Sequence, residues 1–346
     1  MANLIRYQDR DVVNDTQKLT TSTWTDNTNN LTVAFTSSTQ ALFGTATSSG
    51  AHYVEVFNKN PQSDTTAATQ YAIAYGHRKG SGSLDFTNDT GAKGKSPSSN
   101  VYSQYRQLVF GDEASNFSFN GFVPDDIYVI NVERARFKHN LKPGTLDLRL
   151  SGSGTLGALH LTDDAVTQTG SSTSTNAGRQ FNIVSGSLGT MLGSNLTQVA
   201  ASGSYGFFYP DSGFIILNPS ALKQNVDGLT PVTTANNDAQ NYLKLWNHIS
   251  GSTTTPTFIV DSQETVSSQF YFTRVTNTEF NYTTNPSFVD NVGNLNFTSM
   301  IDNPTTFITT IGLYNDSGDL VAVAKLSQPV AKDFTKEALI RVKLDY

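Results

Sequence analysis

The sequence predicts a mainly β protein: two β-rich lobes of sandwich-like sheets, a Ser/Gly/Thr-rich insertion, and two short helices packed on the sheets. Three observations lead there. Aromatic and β-branched residues are abundant, with 21 Phe and 14 Tyr among 346 residues, and such side chains suit a pleated, half-buried surface. Their runs are broken about every ten positions by Gly, Pro, Asn, Asp or Ser, the punctuation of short strands. Only 15% of residues are charged while 37% are hydrophobic, a balance that can build a core and does not suit a disordered polyelectrolyte. The length exceeds what a single core usually serves, so two or three domains are expected.

Residues 1–30 carry turn formers without a sustained period and read as irregular. Strands are expected at about 31–36 (LTVAFT), 52–57 (HYVEVF) and 69–75 (TQYAIAY), followed by a long loop over 76–99. Val101, Tyr102, Tyr105, Leu108 and Val109 recur at helical spacing. Pro97 suits the start of that helix, Ser98 is its expected cap, and Gly111 ends it.

DIYVINVERARF (126–137) reads as one strand. Its core face of Tyr128, Ile130 and Val132 continues into Arg134 and Arg136, so that face leaves the core or meets a partner. Leu146, Leu148 and Leu150 share one side of a strand after a Pro143-Gly144 turn. From about 151 the chain turns rich in Ser, Gly and Thr, and 151–230 reads as an insertion or β subdomain. Within it YGFFYPDSGFIILNP (205–219) is a hairpin turning at Pro210, Asp211, Ser212 and Gly213.

Ala239, Tyr242, Leu243, Trp246 and Ile249 place a second helix over about 237–249, with Asn236 or Asn237 as cap. Strands at about 257–261, 266–276, 305–314, 319–326 and 337–345 follow. TIGLYNDSGDLVAVAKL (310–326) is a hairpin turning at Asn315, Asp316, Ser317 and Gly318, expected to close the C-terminal sheet. In the last strand Ile340, Val342, Leu344 and Tyr346 alternate with Arg341, Lys343 and Asp345. The expected domains are 1–150, β-rich with the loop 76–99; 151–230, the Ser/Gly/Thr-rich part; and 231–346, a C-terminal β domain.

Signals for chemistry are sparse. A net charge of −6 argues against a phosphate-backbone partner, which needs a basic surface. No run of about 18 apolar residues occurs, so no membrane span is expected. The start, MANLIRYQDRDVV, lacks a basic-then-apolar leader, and synthesis in a cytoplasm is expected. There is no cysteine, which removes disulfides and thiol nucleophiles. GAKGKS (91–96) ends like a phosphate loop, but Asp89 stands where that motif needs its first glycine. GHRKGSGS (76–83) offers backbone amides to an anion, or is simply a turn leaving a sheet.

His52, His77, His139, His160 and His248 show no metal-ligand spacing. The neighbours Asp125-Asp126 and Asp163-Asp164 would point to opposite strand faces and form no ready-made dyad. Tyr205, Phe207, Phe208 and Tyr209 suit stacking on sugar rings, or the core and edge of a hairpin. Asn-x-Ser/Thr sequons at Asn30, Asn195 and Asn296 are expected by chance in such a composition. No catalytic residue, cofactor, metal or small-molecule substrate is expected.

Five segments stand in consistent order over most of the chain: YGHRKGSGS (75–83), SPSSNVYSQYRQLVFGD (96–112), DDIYVINVERARFKHNLKPGTLDLRLSG (125–152), YGFFYPDSGFIILNPSAL (205–222) and the block 270–346, the most specific of them. Together they resemble virion structural proteins of contractile-tailed bacteriophages, especially marine cyanophages. The resemblance implies a non-enzymatic component of a bacteriophage virion, assembled in the host cytoplasm; the tail baseplate is its expected place there, which the motifs themselves do not encode. Its partners would be other virion proteins and copies of itself, with no nucleic acid and no membrane. Arg134, Arg136, Arg341 and Lys343, with Asp316 at the hairpin tip, are the expected interface contacts. Three alternatives stay open: a receptor- or glycan-binding fibre or adhesin module, a head decoration or collar protein, and a polysaccharide-degrading enzyme with carboxylates about 5–9.5 Å apart.

Overall fold

A computed structural model describes residues 5–23, 33–35, 53–59, 63–83, 96–152, 159–167, 173–191, 204–234, 240–252 and 257–346. The protein is mainly β, with large curled antiparallel sheets and, among the described residues, three short α-helices. Contacts divide it into two units. One is Leu19–Glu264; the other joins Met1–Lys18 to Thr265–Tyr346.

The strands β1 (Val12–Ser22), β2 (Val33–Phe35), β3 (Tyr53–Phe57) and β4 (Thr69–His77) precede helix α1 (Pro97–Phe110). Next come β5 (Asp126–Val132), β6 (Asn140–Leu141), β7 (Asp147–Leu150), β8 (Leu159–Asp163), β9 (Thr173–Thr175), β10 (Gly178–Ser187) and β11 (Thr190–Met191). The hairpin of β12 (Gly206–Tyr209) and β13 (Phe214–Leu217) leads to helices α2 (Pro219–Asn225) and α3 (Asn241–Ser250). The chain ends with β14 (Phe258–Ile259), β15 (Asp261–Val275), β16 (Thr306–Tyr314), β17 (Leu320–Lys332) and β18 (Ala338–Asp345).

The larger unit is built on one antiparallel sheet in the order β14-β7-β8-β10-β12-β13-β5-β4-β3-β2, with β9 and β11 also paired to β10. Its central strands are buried on both faces, which explains the unbroken apolar runs GFFY and FIIL. On β5, Tyr128, Ile130 and Val132 face one core, which includes Leu222 of α2 and Leu245, Trp246 and Ile249 of α3. Ile127 and Val129 face a second core, with Tyr102 and Val109 of α1 and the rings of Phe117 and Phe119. The sheet curls around the first core. Tyr71 of β4 meets Phe258 of β14 edge to face, 5.0 Å between centroids, although their strands lie far apart in the sheet order.

Helix α1 starts at Pro97, as read from the sequence, but its cap is Ser96, whose hydroxyl accepts from Ser99 N–H; Ser98 lies inside the first turn. Gly111 closes it in the left-handed region. The helix backbone lies so close to β4 that a Cβ on Gly76 would stand 2.9 Å from the Tyr102 nitrogen. Helix α3 spans Asn241–Ser250, and the proposed caps Asn236 and Asn237 lie outside the described residues. Helix α2 adds a third helix, capped by the Asn218 side chain, with Pro219 at its first position.

Several expectations need correction. Residues 12–22 form a strand, because β1 gains its hydrogen bonds from β15 in a distant part of the sequence. The strand at 126 ends at Val132; residues 134–136 form a 3₁₀ turn, so Arg134 and Arg136 do not continue the core face. The hairpin at 306–332 is a two-stranded sheet of its own and does not close the β1-β15-β18 sheet. The chain also divides differently from the boundaries drawn at 150 and 230: β8, β10, β12 and β13 of the Ser/Gly/Thr-rich stretch share the large sheet with β3, β4 and β5. Of the loop 76–99, residues 84–95 lie outside the described residues; residues 78–83 turn tightly and lead toward Ser96.

Gly76→Ala would push α1 from the sheet, and overpacking of this kind costs about 1–3 kcal/mol. The thermal midpoint should fall by several degrees. An unchanged midpoint would contradict the close helix–strand contact.

Candidate interaction surface

The groups that suggested chemistry are mostly engaged in holding the larger unit together. The His77 Nδ1 accepts from the Lys79 and Ser81 amides at 3.1 and 3.3 Å. In the same turn Arg78 and Lys79 both pair with Asp125. The basic loop therefore answers its own carboxylate and offers no free anion cradle. Asp147, fully buried, takes Arg149 Nε and Nη2 at 3.0 and 2.7 Å.

Asp163 accepts three backbone amides, from Gly144, Leu146 and Ala165, and Asp164 accepts from the Asn182 amide and side chain. These are turn-fixing acceptors with separate partners, not a dyad. Tyr205, Phe207, Phe208 and Tyr209 are all buried, as hairpin core residues are. Among the described residues no three His, Asp or Glu side chains gather as metal ligands. No helix there is long and apolar enough to cross a membrane. A cavity of about 10 Å³ beside Tyr75, Ser83 and Asn241 has room for about one water.

The smaller unit is built differently. Among the described residues only six large apolar side chains are buried in it: Val275, Phe288, Val289, Leu313, Ile340 and Val342. Yet it carries fourteen of the twenty large hydrophobic residues that stand exposed. Exposed apolar residues, where they gather, suit interaction.

The β16–β17 ribbon concentrates it. Cross-strand partners share a face, so the register sorts the side chains into two rows. Ile311, Leu313, Ala322 and Ala324 form a row that is half-buried or buried. Thr310, Gly312, Tyr314, Leu320, Val323 and Lys325 form the opposite row, and all are exposed. On that row Tyr314 and Leu320 close over Gly312: a Cβ there would meet them at 3.0 and 3.1 Å. Val321, the extra residue of a bulge, is 67% exposed.

The tip is rigid. Asn315 Oδ1 accepts from Asp319 N–H at 2.7 Å, Asn315 Nδ2 donates to Asp319 Oδ2 at 3.1 Å, and the two backbones bond across the turn. Gly318 supplies the positive φ of 85° that the turn requires. Asp316 stands exposed at its apex.

The base of the ribbon is pinned by Lys332, which is fully buried. Its ammonium donates to Asn281 Oδ1 at 2.7 Å, to the Asp333 carbonyl at 2.9 Å and to the Asn277 carbonyl at 3.1 Å. Thr306, its cross-strand partner, donates to the Phe280 carbonyl at 2.5 Å. These bonds tie the 277–281 loop to the foot of both strands. Sequence reading missed this anchor. VAKD carries no local sign that its lysine is buried, since two of the three acceptors lie some fifty residues earlier.

The β15–β18 pair presents a second exposed face. Alternation in the last strand holds: Ile340 and Val342 are buried, Arg341 and Lys343 are exposed. Opposite them on β15 stand Phe272 and Phe270. Arg341 and Lys343 both lie against the Phe270 ring, 5.3 and 5.9 Å from its centre. Of the expected contact residues, Asp316, Arg341 and Lys343 thus fall on exposed surfaces of the smaller unit. Arg134 and Arg136 belong to the larger unit. Arg134 covers the Phe137 ring and donates to its carbonyl, and Arg136 is half-buried.

Compared with protein-family models, with curated proteins and with solved structures, the chain matches none.

Two measurements test these assignments. Lys332→Met keeps the apolar stem but leaves three acceptors without their donor, a loss on the order of 3 kcal/mol. The smaller unit should then melt earlier and be cut first by protease within 276–306, whereas Lys325→Met, on the exposed row, should leave both unchanged. Equal behaviour of the two variants would contradict the anchor.

The second concerns Asp126 of β5, which burial raises to about 6 despite the Tyr75 hydroxyl at 3.2 Å. An unfolded Asp titrates near ~3.9, so the folded chain binds this proton more tightly. Its contribution is fully present below the unfolded value and is lost as pH rises through about 6, an effect on the order of 3 kcal/mol. Asp126→Asn should raise the melting temperature at neutral pH and flatten the decline across that window. A variant no more stable than the parent at neutral pH would refute the sign.

Proposed function

We propose that the chain is a non-enzymatic building block of a bacteriophage virion, in the tail baseplate, and that it works by assembly. The observation that carries the reading is the inverted surface of the smaller unit, with few apolar side chains inside and many outside. An isolated two-stranded ribbon is marginal in water; a thirteen-residue strand such as β17, with Tyr314, Leu320 and Val323 exposed on the open row, is suited to be covered by another subunit. The block whose sequence most resembles virion structural proteins, 270–346, is also the block that forms this surface. The larger unit supplies a stiff platform in which the charged groups of its turns pair with one another.

Placement in the tail baseplate, rather than as a head decoration or collar protein, rests on the resemblance alone. The buried state of Tyr205, Phe207, Phe208 and Tyr209 removes the aromatic residues that favoured a sugar-binding module.

The test is chemical cross-linking and mass spectrometry of density-purified phage particles. The chain should be present at fixed stoichiometry, and residues 306–345 should cross-link to other virion subunits. Recovery of the chain only as free protein in the lysate, with none in particles, would overturn the proposal.

A further inference from the structure

We propose that the smaller unit associates with further copies of itself head to tail, the acidic tip of the β16–β17 hairpin seating on the cationic, aromatic face of β15–β18 in the next copy. This rests on the assembly reading above and names the partner and both surfaces.

The tip sequence Asn315–Asp319 holds two carboxylates, Asp316 and Asp319, and no base. Its internal hydrogen bonds fix it before any contact, so little order remains to be gained on docking. Exposed Tyr314, Leu320 and Val321 flank it.

The receiving face has the complementary composition. Arg341 and Lys343 are held over one ring, Phe270. Lys343 shares its charge with Asp345 at 3.0 Å, while Arg341 forms no ion pair among the described residues. Phe272 is half-buried and Leu339 is 67% exposed beside them. A guanidinium stacked on a ring keeps its edge donors for a carboxylate, which it can bind with two parallel bonds. Acid flanked by apolar residues thus faces base flanked by apolar residues, and both surfaces belong to the same chain. Because they are different patches, the contact is heterologous: repeated, it closes a ring or extends a filament, and it does not stop at a symmetric dimer.

Sedimentation velocity on the full chain tests this by charge reversal. The parent should form species larger than a monomer that dissociate as salt is raised. Asp316→Lys with Asp319→Lys, and separately Arg341→Glu with Lys343→Glu, should each give monomers with unchanged circular dichroism. The chain bearing all four substitutions should assemble again, because the complementarity is restored with its sign inverted. Should the lysine tip disturb the turn, Asp316→Asn with Asp319→Asn keeps its hydrogen bonds and should still weaken association at least tenfold. A parent that stays monomeric at high concentration, or a folded four-fold variant that does not reassemble, would overturn the proposal. A monomeric parent that still cross-links to other subunits in particles would overturn only the self-partner, whereas absence from particles would overturn the assembly reading itself.

Discussion

One buried ammonium governs how the smaller unit presents its surface. Lys332 is fully buried, and its ammonium donates to three oxygens. Leaving such acceptors unpaired would be costly, so the loop at 277–281 and the foot of the ribbon are bound to one arrangement. The ribbon is thereby held at its foot. Its inner row gives Leu313 to a small core, and its outer row has no cover among the described residues. A strand pair that is anchored at the foot, hydrogen-bonded at the tip and set with exposed Tyr314, Leu320 and Val323 along one row is suited to docking.

The larger unit solves the opposite problem. Its central strands bury both faces, one against α2 and α3 and the other against α1, and the curl of the sheet brings β14 back toward β4. Buried carboxylates tie its turns together, as when Asp163 collects the amide of Ala165 in its own turn and those of Gly144 and Leu146 in the turn before β7. The two units differ in how they use apolar residues: the larger gathers most of its large ones into two cores, and the smaller leaves most of its own exposed. That contrast supports the assembly reading independently of any resemblance.

How much of this was legible in the sequence depends on how far each interaction reaches along the chain. The hairpins at 205–219 and 310–326 were readable because Pro-Asp-Ser-Gly and Asn-Asp-Ser-Gly encode their turns within four residues. The last strand was readable because Ile340 and Val342 alternate with Arg341 and Lys343. Strand β1 was not, since VVNDTQKLTTS is polar on both faces and owes its pairing to β15, some 250 residues away in sequence. The division into units was hidden for the same reason, as the smaller one joins the two chain ends. Arg134 and Arg136 misled because a two-residue period was extended past Val132, where the chain coils into a 3₁₀ turn. Asn218-Pro219 was a signal for α2 that could have been read; the burial of Lys332 had none.

Hydrogen exchange along residues 306–332, followed in the free chain and again in assembled particles, probes the docking role of the ribbon most directly. The account predicts that the outward-pointing amides of β16 and β17 exchange quickly in the free chain, while the hydrogen-bonded tip and the anchored foot near Thr306 and Lys332 are slow. In particles the whole ribbon should become strongly protected. Equal exchange of the ribbon in both states would mean that nothing covers it, and the central claim would fail.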